Sequence, residues 1–251
     1  YYIGFISNFD YIDKGMPDAR GLAVLWSVAI EEQFYLVWPV ILSLFPVKKF
    51  WIPLLVILGG SIVFRALNDV PKLHEMHTLS CIGDMALGGL GAWFILETKS
   101  FKEKIAALPR LAIVLIYLAF VFVFLFRDEY MLANYYLRVF ERLIISAIML
   151  LIILEQCYSR NSFYKMKQFK ISSRLGVITY GLYCLHFIII SLLLGVTQKL
   201  GLNTQVWQVV FLETIIALII TIAVSQMSYR FFEKPFLKLK DRFAFAPNKV
   251  G

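Results

Sequence analysis

Residues 111–126 read LAIVLIYLAFVFVFLF, a run that contains no charged residue. A transmembrane α-helix needs about 20 consecutive, mainly apolar residues to cross the hydrocarbon core of a bilayer. With its flanking residues this run comes close to that length. It therefore predicts a helix that lies in a membrane.

Long uncharged stretches recur along the whole chain, and with their flanks they predict seven membrane-spanning helices. These are expected near residues 22–45, 50–67, 77–96, 109–126, 136–157, 174–197 and 206–229. Composition agrees, because 60% of the residues are hydrophobic and 17% are charged, against roughly 45–50% and 25% in soluble domains. We therefore expect an all-α, polytopic transmembrane helix bundle that forms a single domain over residues 1–251.

Lysine and arginine residues are unevenly distributed between the predicted loops. Seventeen of the 25 lie in one alternate set of segments, residues 46–49, 97–110, 158–174 and 230–251. Because a basic excess marks the cytoplasmic side, we expect the N-terminus outside and the C-terminus in the cytoplasm. The net charge of +8 reflects this asymmetry and suits anionic lipid headgroups, whereas no basic and aromatic pattern suggests nucleic acid.

Two adjacent carboxylates, Glu31 and Glu32, interrupt one of the predicted spans, in the segment LWSVAIEEQFYLVWP of residues 25–39. An ionised acid at bilayer depth costs roughly 2.5–3.5 kcal/mol on insertion scales, so a functional use is the natural hypothesis. Side chains four and seven residues apart share one face of a helix. The polar and aromatic residues on the face of Glu31, which we predict to point inward, are Ser27, Tyr35 and Trp38.

This segment also carries a resemblance to a known family. Residues 26–39, with the pattern Trp-Ser-x-x-x-Glu-Glu-Gln-Phe-Tyr-Leu-x-Trp-Pro, resemble the signature of the acyltransferase-3 family. Residues 175–189 resemble its Gly-x-x-Ser-Tyr-x-x-Tyr-Leu-x-His segment, with Thr179 where serine is usual, and residues 229–235 resemble its closing Tyr-Arg-x-x-Glu-x-Pro. The three segments follow in the family's order and span nearly the whole chain.

The resemblance implies an integral, multi-pass enzyme of the bacterial inner (cytoplasmic) membrane. Such an enzyme would move an acyl group, most often acetyl, from cytoplasmic acyl-CoA to a hydroxyl of an extracytoplasmic polysaccharide or glycolipid, such as lipopolysaccharide or peptidoglycan. Acyl-CoA is then a substrate, and neither a permanent cofactor nor a metal is expected. The resemblance also implies about three further helices before Tyr1, with a basic residue and a histidine on the first, so we expect the chain to be N-terminally incomplete.

Acyl transfer to a hydroxyl needs a base, donors for the developing oxyanion and a site that excludes water. Glu31 and Glu32 are the predicted catalytic residues, as the base or as groups that orient one. The alternative is that they cap the N-terminus of their helix, where the macrodipole favours acids. The predicted substrate-binding residues around them are Trp26, Ser27, Gln33 and Tyr35.

His186 lies about twelve residues into an uncharged helix, with Tyr180 and Tyr183 near its face. We predict that these three residues line the substrate site. A buried histidine satisfied by its own neighbours and a direct general base are the two alternatives.

Asp84 is the one charged residue of the segment 78–96 and is followed by Gly88, Gly89 and Gly91. Small residues allow helices to approach closely, and an acid in a membrane helix is a functional candidate. We predict a substrate-binding role for Asp84, with a hydrogen bond to a neighbouring helix as the alternative.

Three charged residues, Arg138, Glu141 and Arg142, occupy neighbouring positions at the predicted outer end of their helix. They could form internal ion pairs, extend to the lipid headgroups or meet an anionic acceptor.

Arg230 is predicted to help bind the phosphates of coenzyme A, because an arginine fork matches phosphate oxygens. The alternative is a purely topological role as a cytoplasmic basic residue. Pro235 predicts the end of the last helix.

Other classes of membrane protein remain possible from the residues alone. Seven helices also suit a receptor, although residues 206–229 contain no lysine for a retinal. A multi-pass transporter of glycan or lipid intermediates is the stronger alternative, because buried acids also serve proton coupling. Transporters often have two related halves, and no such repeat is visible.

Overall fold

The computed structural model describes residues 2–17 and 20–243, with the main chain only for Arg20 and for residues 240–243. This part of the chain is helical and divides into two compact units. The α-helices are α1 (Ser7–Lys14), α2 (Leu25–Ser43), α3 (Trp51–Leu67), α4 (Pro71–Met76), α5 (Thr78–Glu97), α6 (Lys99–Ala106), α7 (Arg110–Phe126), α8 (Tyr135–Tyr158), α9 (Lys170–Val177), α10 (Thr179–Lys199), α11 (Thr214–Ser228) and α12 (Lys234–Phe243).

Six helical stretches of the described chain are long and apolar enough to cross a membrane. They are Leu25–Ser43, Val47–Leu67, Pro71–Glu97, Arg110–Met131, Thr179–Lys199 and Gln208–Leu239. Helix α8, the remaining predicted span, forms with 24 residues but carries several charged side chains. The protein is thus an all-α, polytopic membrane helix bundle, as predicted.

The first unit contains α1–α8, and its core lies between α3 and α5. Leu54 on α3 packs against Ala86 and Leu90 on α5. Glycines bring the helices together, because a Cβ atom at Gly83 would lie 2.8 Å from the Ser61 hydroxyl oxygen, and one at Gly91 would lie 2.6 Å from Leu150 of α8. Of the glycines that the sequence singled out, Gly89 and Gly91 lie at close contacts, whereas a Cβ atom at Gly88 would meet nothing within 4 Å.

The second unit contains residues 16–24 and the chain from Lys167 onward, with α9–α12. Helices α10 and α11 pack against each other. The turn Arg20–Leu22 lies against α10, where a Cβ atom at Gly21 would come within 2.7 Å of Ile188.

Two predicted helix boundaries in this unit are wrong. The predicted span 174–197 begins at Thr179, because Ile178 leaves helical geometry at ψ 13° and separates α9 from α10. The last helix does not end at Pro235 but continues into α12. The π-helical turn Tyr229–Glu233 just before this proline widens the helix, which accommodates the missing N–H and the bulk of the ring.

Candidate functional site

The acid pair lies in the second turn of α2. The helix begins at Leu25, and its first turn contains no acidic residue. Because the macrodipole acts mainly within the first turn, the alternative that Glu31 and Glu32 cap the helix is not supported. Glu31 is exposed and Glu32 is half-buried.

The side of α2 that packs is not the predicted stripe. Ala29 and Ile30 are each 2% exposed and Phe34 is 7% exposed, whereas Tyr35 is 60% exposed. The prediction that the stripe points inward is therefore wrong for Glu31 and Tyr35. The physical reason is that lipid solvates apolar side chains, so the packed face of a membrane helix is decided by close van der Waals contact with its neighbours, which Ala29, Ile30 and Phe34 provide here.

Three of the other predicted residues on this helix occupy intermediate positions. Trp26 and Ser27 are half-buried in the first turn of α2. Trp38 is stacked on Phe34, with ring centroids 5.1 Å apart, and packs against the core of α3 and α5.

Gln33 is held in a polar cluster that ties α2 to its neighbours. Its amide nitrogen donates to the Phe5 carbonyl at 2.5 Å and to Asn8 Oδ1 at 2.9 Å, and its amide oxygen accepts from the Thr78 hydroxyl at 2.5 Å. Asn8 is 0% exposed and also donates to the Met76 carbonyl at 3.1 Å. Gln33 therefore positions α2 against α1 and the start of α5.

Asp84 forms an ion pair with Arg142 of α8. Arg142 Nε donates to Asp84 Oδ2 at 3.0 Å, and a second guanidinium nitrogen donates to the same oxygen. The alternative of a bond to a neighbouring helix is therefore confirmed for Asp84. The other two residues of the predicted charged group are also paired, Arg138 with Asp69 at 2.7 Å and Glu141 with Arg127, which confirms the internal ion-pair alternative for this group, with partners that lie outside it.

These pairs surround a polar cavity of about 500 Å³ within the first unit. Side chains from α4, α5, α8 and the π-helical turn Arg127–Met131 line it. Its charged lining consists of Glu75, Asp84, Glu141, Arg127, Arg138 and Arg142. Three carboxylates therefore face three guanidinium groups.

Arg65, in the last turn of α3, is the most heavily bonded residue beside this cavity. It is 2% exposed and donates to the carbonyls of Val139, His74 and Arg138, at 2.9, 3.0 and 2.5 Å. Its remaining bonds go to Ser80 Oγ at 2.9 Å and to Glu141 at 3.3 Å. The position of an arginine in the last turn of an apolar helix was the available sequence signal.

His74 on α4 is the second residue that sequence reasoning missed. It lines the polar cavity and is 4% exposed. Its ring Nε2 lies 3.0 Å from the Arg65 carbonyl oxygen. Its Nδ1 is buried and has no hydrogen-bond partner in the described part of the chain.

His186 lies in the second unit and lines an apolar cavity of about 480 Å³ between α10 and α11. Its Nδ1 lies 2.6 Å from the Tyr183 carbonyl oxygen and 3.2 Å from that of Leu182. Since a carbonyl only accepts, Nδ1 carries a proton in this arrangement. The Tyr183 ring is 5.9 Å from the imidazole, and Tyr180 is 52% exposed.

Glu213, for which the sequence offered no role, lines the same apolar cavity. It is 4% exposed, and its Oε1 accepts a hydrogen bond from the Thr197 hydroxyl.

Arg230 lies elsewhere in the second unit, in the π-helical turn Tyr229–Glu233, and is exposed. Its guanidinium carbon Cζ lies 5.6 Å from the centroid of the Phe231 ring. A phosphate-binding role for Arg230 stays a prediction.

Comparison with known proteins adds three findings. The acyltransferase domain family matches residues 4–230. The O-acetyltransferase OatA of Staphylococcus aureus is 26% identical over 99% of this chain, and the peptidoglycan O-acetyltransferase OatA of Listeria monocytogenes is 28% identical over 92% of it. No solved structure matches.

The chain spans 42% and 37% of the length of these two relatives. The family match covers most of the chain and includes the acid pair of α2 as well as the His186 segment. The chain therefore belongs to the acyltransferase-3 family.

Proposed function

We propose that the whole protein is a membrane O-acyltransferase that moves an acyl group, acetyl in the simplest case, from cytoplasmic acyl-CoA to a hydroxyl of an extracytoplasmic glycan. The observation that carries this proposal is the family match over residues 4–230. The relative from Listeria monocytogenes, which is named for peptidoglycan, supports a cell-wall glycan as the acceptor.

In this reaction the acceptor hydroxyl attacks the thioester carbonyl, the carbon–sulfur bond breaks, and coenzyme A leaves as the thiol. A base must take the hydroxyl proton, and a positioned base typically contributes about 10²–10⁴-fold in rate. Glu31 and Glu32 are the proposed base or the groups that orient it. Their position inside a membrane-length helix supports this role, because acids are costly there unless they are used.

The proposed binding of acyl-CoA, the acyl donor, rests on the positions of basic residues. Arg230 and Lys234 are exposed at the end of the last membrane-length stretch, on the side that the basic excess assigns to the cytoplasm. Guanidinium and ammonium groups of this kind would attract the phosphates of coenzyme A. Trp26, Ser27, Tyr35, Tyr180, Tyr183 and His186 remain proposed substrate contacts.

The test uses the full-length gene in cells that lack their own copy. Glu31→Gln and Glu32→Gln keep the shape of the side chain and remove its charge, so each should lower the ester-linked acyl groups that mild base releases from surface glycans. We expect the larger loss at Glu31, because Ser27 and Tyr35 share its stripe.

The matched control is Glu103→Gln, the same chemical change at an exposed acid of α6, which should keep wild-type acylation. Membrane levels of each variant are measured alongside. If both α2 variants acylate as well as the wild type, the acid pair has no part in transfer.

A further inference from the structure

We infer that the polar cavity of the first unit binds an uncharged, hydroxyl-rich ligand, a pyranose of the acyl-accepting glycan, and that His74 Nδ1 accepts a hydrogen bond from one of its hydroxyls. The inference rests on the proposed function and names the part of the molecule that holds the acceptor. The main observation behind it is a buried histidine whose second ring nitrogen has no hydrogen-bond partner in the described residues.

The tautomer of His74 follows from its one ring contact. The Arg65 carbonyl oxygen, 3.0 Å from Nε2, can only accept, so Nε2 carries a proton, and in the neutral ring Nδ1 then presents a lone pair. This lone pair is buried without a donor in the described residues. A buried polar atom without a hydrogen bond is unfavourable, and a ligand hydroxyl would satisfy it.

The charge of the cavity favours a neutral ligand. Its three lining arginines face three lining carboxylates, and each arginine is paired with a carboxylate, as in Arg142 with Asp84. The lining therefore has no net charge with which to attract an anion. Besides His74 Nδ1, it offers Arg138 Nε, a buried donor without a partner in the described chain.

A sugar hydroxyl both donates and accepts, so it matches an unused acceptor at His74 and an unused donor at Arg138. The volume of about 500 Å³ lies within the roughly 300–1,000 Å³ of ligand pockets. A pyranose carries several hydroxyls and is small enough for this volume, so it is the class of ligand that fits both the hydrogen-bonding groups and the size of the cavity.

The predicted topology places the cavity on the acceptor side. Several of its lining residues come from segments 65–76 and 127–138, which hold only four of the 25 Lys and Arg residues. Basic-poor loops face away from the cytoplasm. The cavity would then open toward the glycan and away from acyl-CoA.

The experiment is calorimetric titration of the purified full-length protein with the N-acetylglucosamine tetramer, a neutral probe, and with trigalacturonate, an anionic one. We expect saturable binding of the neutral tetramer and weaker binding of trigalacturonate. His74→Gln keeps an N–H for the Arg65 carbonyl but has no acceptor at the Nδ1 position, so it should weaken tetramer binding about tenfold, the equivalent of one hydrogen bond.

A second variant tests the cavity without touching an ion pair. Ser146→Phe adds a ring inside the lining and should abolish binding of the tetramer. Met149→Phe is the matched control on the same helix, at a side chain that is 40% exposed, and should bind as the wild type does.

The inference is overturned if the wild type does not bind the tetramer, if it prefers trigalacturonate, or if Ser146→Phe and His74→Gln bind normally. Binding is measured without acyl-CoA, so the result does not depend on turnover. If the tetramer binds as expected but full-length protein with acyl-CoA acylates no glycan, the proposed function fails and the binding site stands.

Discussion

At the scale of single residues, several charged side chains in the membrane-length helices of the first unit are held by partners on other segments. Arg65 places all five of its guanidinium hydrogens on acceptors. One of those acceptors, Glu141, is 4% exposed and also binds Arg127. Burial of ions is tolerated only when partners replace water in this way.

Arg65→Met should therefore destabilise the protein strongly, because it removes one donor from each of three main-chain carbonyls and one from the buried carboxylate of Glu141. We expect a loss of about 3 kcal/mol in the free energy of unfolding, within the range for a broken buried pair. Denaturant titration in detergent micelles measures it.

The control for Arg65→Met is Lys14→Met on α1. Lys14 pairs with Asp10 at 2.7 Å, but its side chain is 59% exposed, and pairs of this kind are worth about 0–1 kcal/mol. Equal losses from the two substitutions would contradict a structural role for the Arg65 network.

Sequence reasoning found some of these residues and missed others for a physical reason. Asp84 and Arg142 stand out because they interrupt apolar segments, and both proved to be paired across helices. Arg65 and His74 lie at or near helix ends, where charged and polar residues are ordinary, so the local pattern was too weak a signal to predict their burial. The role of Glu31 and Glu32 stays a prediction.

At the scale of helices, close packing of α3 against α5 depends on a glycine. A Cβ atom at Gly83 would lie 2.8 Å from Ser61 Oγ and 2.9 Å from Ser61 Cβ. Ser61 cannot move aside easily, because its hydroxyl donates to the Ser80 carbonyl at 2.8 Å. The space at Gly83 thus sets the distance between the two helices.

Gly83→Ala should cost about 1–3 kcal/mol in the free energy of unfolding, the usual cost of overpacking. Gly88→Ala is the control on the same helix, since a Cβ atom there meets nothing within 4 Å, and it should be neutral or slightly stabilising. Unfolding of both variants in micelles gives the comparison. A neutral Gly83→Ala would mean that α3 and α5 are not locked at this contact.

Helix positions were predictable because apolar length is a property of the local sequence. The spans 50–67 and 77–96 agree with α3 and α5 to within one residue at each end. The continuation past Pro235 was not predictable, because it depends on a π-helical turn whose hydrogen bonds leave no pattern in the sequence. The packed face of α2 was also missed, since burial there is decided by neighbours that lie far along the chain.

At the scale of the whole molecule, the chain combines several membrane-length stretches with an uneven distribution of basic residues. The proposed reaction uses both sides of a membrane, with the donor on the basic side and the acceptor on the other. The proposed reaction carries the acyl group from one side of the membrane to the other. Simple hydrolysis of acyl-CoA would take place on one side only, so the two reactions can be distinguished.

The most direct measurement follows a labelled acetyl group across a membrane. Full-length protein is reconstituted in vesicles that contain trapped N-acetylglucosamine tetramer, and acetyl-CoA labelled in the acetyl group is added outside. Protein molecules whose cytoplasmic side faces outward can use the added acetyl-CoA. We therefore predict that label appears on the trapped tetramer in vesicles that contain the protein and does not appear on it in protein-free vesicles. Release of free coenzyme A while the trapped tetramer stays unlabelled would contradict the proposed transfer.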